Sequence, residues 1–311
     1  NHSWGQSYRV RYSPHTGSPS LNQKEQPMPL TKFRCPDGGT INVEDCLSQC
    51  RMAERCASPP TLLSIVKGDR DRAWDGIPHV TELMGGTMEA FLKHTQNFTS
   101  SPDAHAPLLL GTAHHAMLEE MAIEMGNPAE VHLNLVERPQ TTPKPVTVMQ
   151  GSPDYLDQVE DAPAVYDLWD YKAYGMYLAD KVLGIKKPPD RTDLEMQLNA
   201  YRVMLEDMGI NIGKLMVQIT IKSDSWLVKR SIPSGRAIHV VEIAYLDDDY
   251  IRQYYSLKSS ALRRSMEINK APNVCTPEER WFDPKRGDAK CANFCDVAEF
   301  CTHGIAVNLG K

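Results

Sequence analysis

The chain has 311 residues, 41% hydrophobic and 24% charged, with a formal net charge of −6. That length suits one large domain or two modest ones, and the acidic balance excludes a generic polyanion binder, so any contact with nucleic acid must rest on locally concentrated positive charge. No run approaches the ~18 apolar residues of a membrane span, and no opening segment has the charged start, apolar core and small-residue site of an exported leader; the expected location is the cytoplasm, with no membrane partner.

Residues 1–30 are rich in Ser, Pro, Gln, Asn and Gly and read as an extended or poorly ordered arm. Residues 31–58 carry a first group of cysteines, and residues 59–104 form a mainly helical segment punctuated at its start by Pro59-Pro60. "NFTSSPDAHAP" (97–107) reads as a loop, and "LLLGTAHHAMLEEMAIEM" after it as a helix of strong formers with an apolar stripe. "PVTVMQGSPDYLDQ" and "AVYDLWDYKAYG" follow as strands joined by the acidic turn "VEDAP". Beyond the loop "IKKPPDRT", the stretch "DLEMQLNAYRVMLEDMG" is a helix with Asp193 as its expected cap. In "KLMVQITIKSD", Val217, Ile219 and Ile221 alternate with polar residues, as in a half-buried strand. "SWLVKRSI" and "AIHVVEIAYL" flank a Pro-Ser-Gly turn at 233–235 and read as a hairpin. "DDDYIRQYYSLKSSALRRSMEINKA" opens with acids that favour a helix start. The order helix, strands, helix, strands, helix predicts an α/β layer arrangement.

All eight cysteines fall into two sets, Cys35, Cys46, Cys50 and Cys56, then Cys275, Cys291, Cys295 and Cys301. Both "CLSQCRMAERC" and "CANFCDVAEFC" have the spacing C-x3-C-x5-C, preceded by one further cysteine. Clustered cysteines in an intracellular chain point to metal rather than disulfides. Four thiolates hold either Zn2+ or a [4Fe–4S] cluster. Each set has four ligands, which favours two separate centres over one shared between the ends. Groups such as Arg51/Arg55, Lys67/Arg70/Arg72, Lys186/Lys187, Lys229/Arg230, Arg263/Arg264 and Lys285/Arg286 are local basic clusters, each read first as a solvated face.

Between the cysteines lies a set of acids and bases with its own logic. Asp170 and Lys172 sit at i and i+2, on one face of a strand. Asp154 stands where the preceding strand leaves its sheet, in "GSPD". Two carboxylates suit a hard divalent cation. Such a cation lowers the pKa of a bound water and polarises a phosphoryl oxygen, while an ammonium stabilises developing negative charge. His115 and Glu119 share a helix face, as do Gln197 and Tyr201.

In this order, "GTAHHAMLE", "GSPD", "DYK" and "QLNAY" resemble the motifs of the RecB-like branch of the PD-(D/E)XK nuclease superfamily, over roughly residues 105–305. The resemblance implies a restriction-endonuclease-like core at 105–270, a central mixed β-sheet flanked by helices, with cysteine-ligated segments at 31–58 and 271–311. It implies that His115, Asp154 and Asp170 ligate Mg2+ or Mn2+ with the backbone carbonyl of Tyr171. Lys172 is then the catalytic lysine, and Gln197 and Tyr201 support it. The His-x-x-Leu-Glu frame selects His115 over His114. Some members carry an iron–sulfur cluster held partly by a C-terminal cysteine triple, as in the nucleases of CRISPR adaptation and some helicase–nucleases. Their commoner spacing is C-x2-C-x5-C, one residue shorter than here. The expected cofactors are therefore a [4Fe–4S] cluster at the C-terminal set and zinc or a second cluster at the N-terminal set.

The expected function is DNA hydrolysis, by exonuclease action on ends or single strands, in a prokaryotic or phage setting of recombination, repair, CRISPR adaptation or defence. The alternative is a DNA-processing subunit, silent until a helicase, recombinase or integrase joins it. The chain has no G-x-x-x-x-G-K-[ST] phosphate loop, so a motor would be another chain.

Overall fold

The computed structural model describes residues 30–70, 73–137 and 144–310. The expected arm, apart from its last residue, and Arg72 of one basic cluster lie outside the described residues. The architecture is mixed α/β.

Strands β1 (Leu30–Arg34) and β2 (Thr40–Asn42) pair antiparallel across a tight turn. In that turn the Gly38 N–H donates to the Cys35 carbonyl at 2.9 Å, with Gly38 at φ +82°, a conformation glycine takes without cost. Helices α1 (Val43–Ser48), α2 (Pro59–Arg70), α3 (Val80–Met84) and α4 (Thr87–Thr95) follow. Pro59 and Pro60 lie inside the first turn of α2, where the missing N–H has no intrahelical partner to lose. Strand β3 (Phe98–Ser100) then pairs parallel with β1, closing a three-stranded sheet.

Residues 97–107 are therefore not a loop. Phe98 and Ser100 are buried strand residues, and Ser101 caps α5 (Pro102–Glu124) by accepting the Asp103 N–H. Pro102 at the first helical position and Pro107 inside the helix mimic loop punctuation in the sequence.

Strands β4 (Leu133–Glu137) and β5 (Val146–Gly151) form an antiparallel pair. The chain then turns a corner, and β6 (Tyr155–Gln158) begins a different sheet, so "PVTVMQGSPDYLDQ" is two strands in two sheets rather than one. Next come β7 (Val165–Tyr174), α6 (Met176–Leu183), α7 (Thr192–Asp207), β8 (Asn211–Ile221), α8 (Ser225–Ser231), β9 (Ile238–Ile243) and α9 (Asp248–Ile268). The four-stranded sheet runs β6-β7-β8-β9, with β7 and β8 parallel and the outer pairs antiparallel. The parallel pair needs a long crossover, supplied by α6 and α7.

Two expectations fail here. "SWLVKRS" is helix α8, not a strand; the partner of β9 is β8, with Val217 opposite Val241. Asp193 lies within the first turn of α7, whose flanking residue is Arg191.

Helix α7 is the centre of the molecule. Every residue from Met196 to Leu205 is buried, because the helix packs against β8, β4, α3 and α9 at once. Its buried polar side chains therefore need protein partners. Asn199 donates to the Ala244 carbonyl at 2.9 Å, and Arg202 donates to the Leu246 carbonyl at 3.0 Å and to Asp248 at 2.5 Å.

The C-terminal segment holds β10 (Phe282–Asp283), β11 (Gly287–Asp288), α10 (Ala289–Asn293), a 3-10 turn (Ala298–Phe300) and α11 (Thr302–Leu309). It is tied to the rest through β3, where the Ser100 hydroxyl donates to Asp296 at 3.0 Å. Among the described residues no helix is long and apolar enough to cross a membrane.

Candidate active site

The site is built where β7 outruns its neighbour. The last paired residues of β6 and β7 are Tyr155 and Trp169, so beyond them one edge of β7 has no strand against it. Asp154, at the β5–β6 corner, fills that edge: its Oδ2 accepts the Tyr171 N–H at 2.6 Å. The N–H and C=O of one strand residue leave on the same side, so the Tyr171 carbonyl faces the Asp154 edge as well.

Asp170 and Lys172 project from one face of β7, toward α7. Lys172 Nζ lies 2.6 Å from Asp170 Oδ2, and Gln197 donates from α7 to Asp170 Oδ1 at 3.2 Å. The same Gln197 amide donates to the Tyr201 hydroxyl at 3.2 Å. Tyr201 reaches this position because Gly151 ends β5 beside its ring; a Cβ there would come within 2.7 Å of Tyr201 Cε1.

Helix α5 packs on β7 and brings in the histidines. His115 Nδ1 stands 3.2 Å from Asp154 Oδ1. His114 packs edge-on to the Tyr171 ring, and its Nδ1 has no hydrogen-bond partner. Of the two neighbours, His115 is the one that meets the carboxylate.

Electrostatics follow from burial. Burial pushes the Asp170 carboxyl up to about 6, Lys172 pulls it down, and Asp154 adds to the rise. For Lys172 burial works against the charged form, but Asp170 and Asp154 outweigh it and hold the ammonium well above its usual range. The hydrogen bond to Asp154 raises His115.

One residue has no signal in the sequence reading. Glu130, on the connection from α5 to β4, donates its N–H to the Asp154 carbonyl at 3.4 Å, and Ala129 bridges to Tyr155. Its φ of +48° is unusual for a residue with a Cβ. Glu130 is exposed over the residue as a whole, but partial desolvation of its carboxyl, with Asp154 and Glu119 close by, raises that group to about 7. Among the described residues, His115, Glu130 and Asp154 are the one group of three or more His, Cys, Asp or Glu whose ligand atoms all lie within 4.8 Å of one another. Imidazole nitrogen with carboxylate oxygens is a donor set that hard and borderline divalent cations accept. The positions singled out in the sequence as His115, Asp154, Asp170, Tyr171, Lys172, Gln197 and Tyr201 therefore converge, and Glu130 joins them.

The cysteines gather as two separate sets. Cys275, Cys291, Cys295 and Cys301 line one cavity together with Met88 and Leu92 of α4. Around Cys46 the other thiols of its set, Cys50, Cys56 and Cys35, are close enough to raise its pKa, after burial. Glu89 and its partners brace the C-terminal set: Lys93 lies 2.8 Å and Lys290 2.6 Å from the Glu89 carboxylate. Several basic side chains named from sequence are already engaged. Arg51 pairs with Asp37 at 2.6 Å, Arg55 donates to the Cys46 carbonyl at 2.9 Å, and Arg263 donates to the Thr147 carbonyl at 2.9 Å.

No family model matches the sequence, and no curated protein matches it. A solved crystal structure, that of SSO0001, is 13% identical; the match covers 78% of this chain and 95% of that chain, with a TM-score of 0.47.

Proposed function

We propose that the chain is a Mg2+- or Mn2+-dependent DNA nuclease with a restriction-endonuclease-like core of the RecB-like PD-(D/E)XK kind. The observation that carries this reading is the convergence of two contacting groups, His115 with Asp154 and Lys172 and Gln197 with Asp170, drawn from α5, the β5–β6 corner, β7 and α7 and joined where Asp154 accepts the Tyr171 N–H. Isolated, each residue is ordinary; together they form a cation-binding acid cluster with one buried ammonium.

A divalent cation bound here supplies a water of lowered pKa and polarises a phosphoryl oxygen. Asp154 and Asp170 would be its carboxylate ligands, His115 its nitrogen ligand and the Tyr171 carbonyl a backbone ligand. Lys172 orients the attacking water and stabilises charge on the phosphate oxygens. Gln197 holds Asp170, and Tyr201 holds Gln197. Hydrolysis would form a bond from the water oxygen to phosphorus, break the ester P–O bond and move the water's proton to the departing oxygen, giving a phosphate monoester and an alcohol end. DNA ends or single strands are the proposed substrate, in prokaryotic or phage recombination, repair, CRISPR adaptation or defence.

The C-terminal cysteines are proposed to hold a [4Fe–4S] cluster. All four line one cavity, and four thiolates are a donor set that a cluster or a zinc ion accepts. The N-terminal set, with Cys56 exposed, takes zinc or a second cluster.

The test is digestion of labelled single- and double-stranded DNA with Mn2+, comparing the wild type with Lys172→Ala. Cleavage by the wild type alone is expected. Equal cleavage by both sinks the assignment of Lys172. Cleavage by neither favours the reading as a subunit silent without a helicase, recombinase or integrase. Anaerobic purification tests the cluster: a colourless, zinc-containing protein refutes iron–sulfur and leaves the nuclease reading standing.

A further inference from the structure

We propose that Glu130 is a side-chain ligand of the divalent cation, added to His115 and Asp154; this deepens the nuclease reading and rests on it for the presence of a cation. The ligand atoms of the three side chains all lie within 4.8 Å of one another. A cation with metal–ligand distances of ~2.0–2.6 Å spans such a gap. The three residues come from α5, the α5–β4 connection and the β5–β6 corner, so local sequence does not force them together. The backbone delivers Glu130: its N–H donates to the Asp154 carbonyl at 3.4 Å, and the neighbouring Ala129 bridges to Tyr155.

Asp154 has its two oxygens divided. Oδ2 is taken by the Tyr171 N–H, and Oδ1 turns toward His115, the gap that Glu130 closes. Asp170, 1% exposed, lies outside this trio, and its Oδ2 is paired with the Lys172 ammonium at 2.6 Å. Carboxylates in excess of the nearby ammonium leave negative charge that a divalent cation balances. Glu130 therefore adds to the motif residues and does not displace Asp170.

The test is titration calorimetry of MnCl2 into the full chain with its cysteine centres loaded and other divalent ions dialysed away. Glu130→Gln is expected to weaken Mn2+ binding at least tenfold and to lose most of the Mn2+-induced rise in melting temperature. Glu120→Gln, an exposed carboxylate on α5, is expected to bind as the wild type does. If Glu130→Gln binds Mn2+ as tightly as the wild type, the proposal fails and the nuclease reading stands. If the wild type itself binds no Mn2+, both fail. Glu130→Asp separates ligation from folding: partial recovery of affinity supports ligation, whereas no recovery together with a lower metal-free melting temperature for Glu130→Gln overturns it.

Discussion

Replacing Lys172 by Met isolates what the buried ion pair does for the fold, apart from catalysis. The Asp170 side chain is 2% exposed and the Lys172 side chain 19%. Breaking such a pair by removing one partner costs up to about 3–5 kcal/mol. Here the loss has a lower ceiling, because Asp170 can take up a proton. With its carboxyl raised to about 6, remaining neutral at pH 8 forgoes about two pH units of ionisation, on the order of 2–3 kcal/mol. The sign follows from linkage. A carboxyl raised in the folded state makes the wild type lose stability as pH rises from about 4 to about 6. Without Lys172 the carboxyl climbs further, so the variant keeps losing stability above that range. Urea unfolding without divalent cations is therefore expected to show a deficit of about 2–3 kcal/mol for Lys172→Met at pH 8 and under about 1 kcal/mol at pH 5. Adding Asp170→Asn to that variant removes the unpaired acid and should recover most of the pH 8 deficit. An equal deficit at both pH values, or none at pH 8, would refute the coupling of Lys172 to a buried, ionised Asp170.

Three further outcomes are expected. Gly86→Ala places a Cβ 2.2 Å from Cys275 Sγ, so it should lower the iron or zinc content of the C-terminal centre, read by elemental analysis, whereas Gly68→Ala, with nothing within 4 Å, should leave the content unchanged. Gly151→Ala pushes on the Tyr201 ring; overpacking of this kind costs about 1–3 kcal/mol, and DNA cleavage should fall more than Mn2+ affinity. Burial raises the Glu89 carboxyl, but Lys93 and Lys290 outweigh it and hold the net value below normal. Its contribution is therefore present above about pH 4.5 and lost as pH falls through the folded value. Glu89→Gln should destabilise the chain by about 2 kcal/mol at pH 7, and melting curves of the two proteins should approach each other below pH 4.5.

Legibility in the sequence followed the kind of signal each element carries. In β8 the alternation of Val217, Ile219 and Ile221 is a period-two pattern with one buried face, and those residues are buried as expected. The same alternation marks Leu133 and Leu135 of β4, but a strand of five residues was too short to stand out. "SWLVKRS" carries too short an apolar run to separate strand from helix; it forms the seven-residue helix α8, with Val228 buried. Asp170 and Lys172 were legible as residues of one strand face and Gln197 and Tyr201 as a pair four apart on a helix, whereas His115 and Asp154 are brought to the site by the packing of α5 and the β5–β6 corner. Glu130 was not legible, since its position depends on a bridge between Ala129 and Tyr155 that no local pattern encodes. Cysteine spacing identified two sets of four; that the sets stay apart is a matter of tertiary packing.

The three residues of β3 have a consequence out of proportion to their length. One edge of the strand is hydrogen-bonded to β1, which leads directly into Cys35. Ser100 at its end holds Asp296, the neighbour of Cys295. Ser101, immediately after, starts the helix that carries His115. The strand thus sits between both cysteine sets and the first turn of α5, so a shift at either set has a short mechanical route to the helix that carries His115.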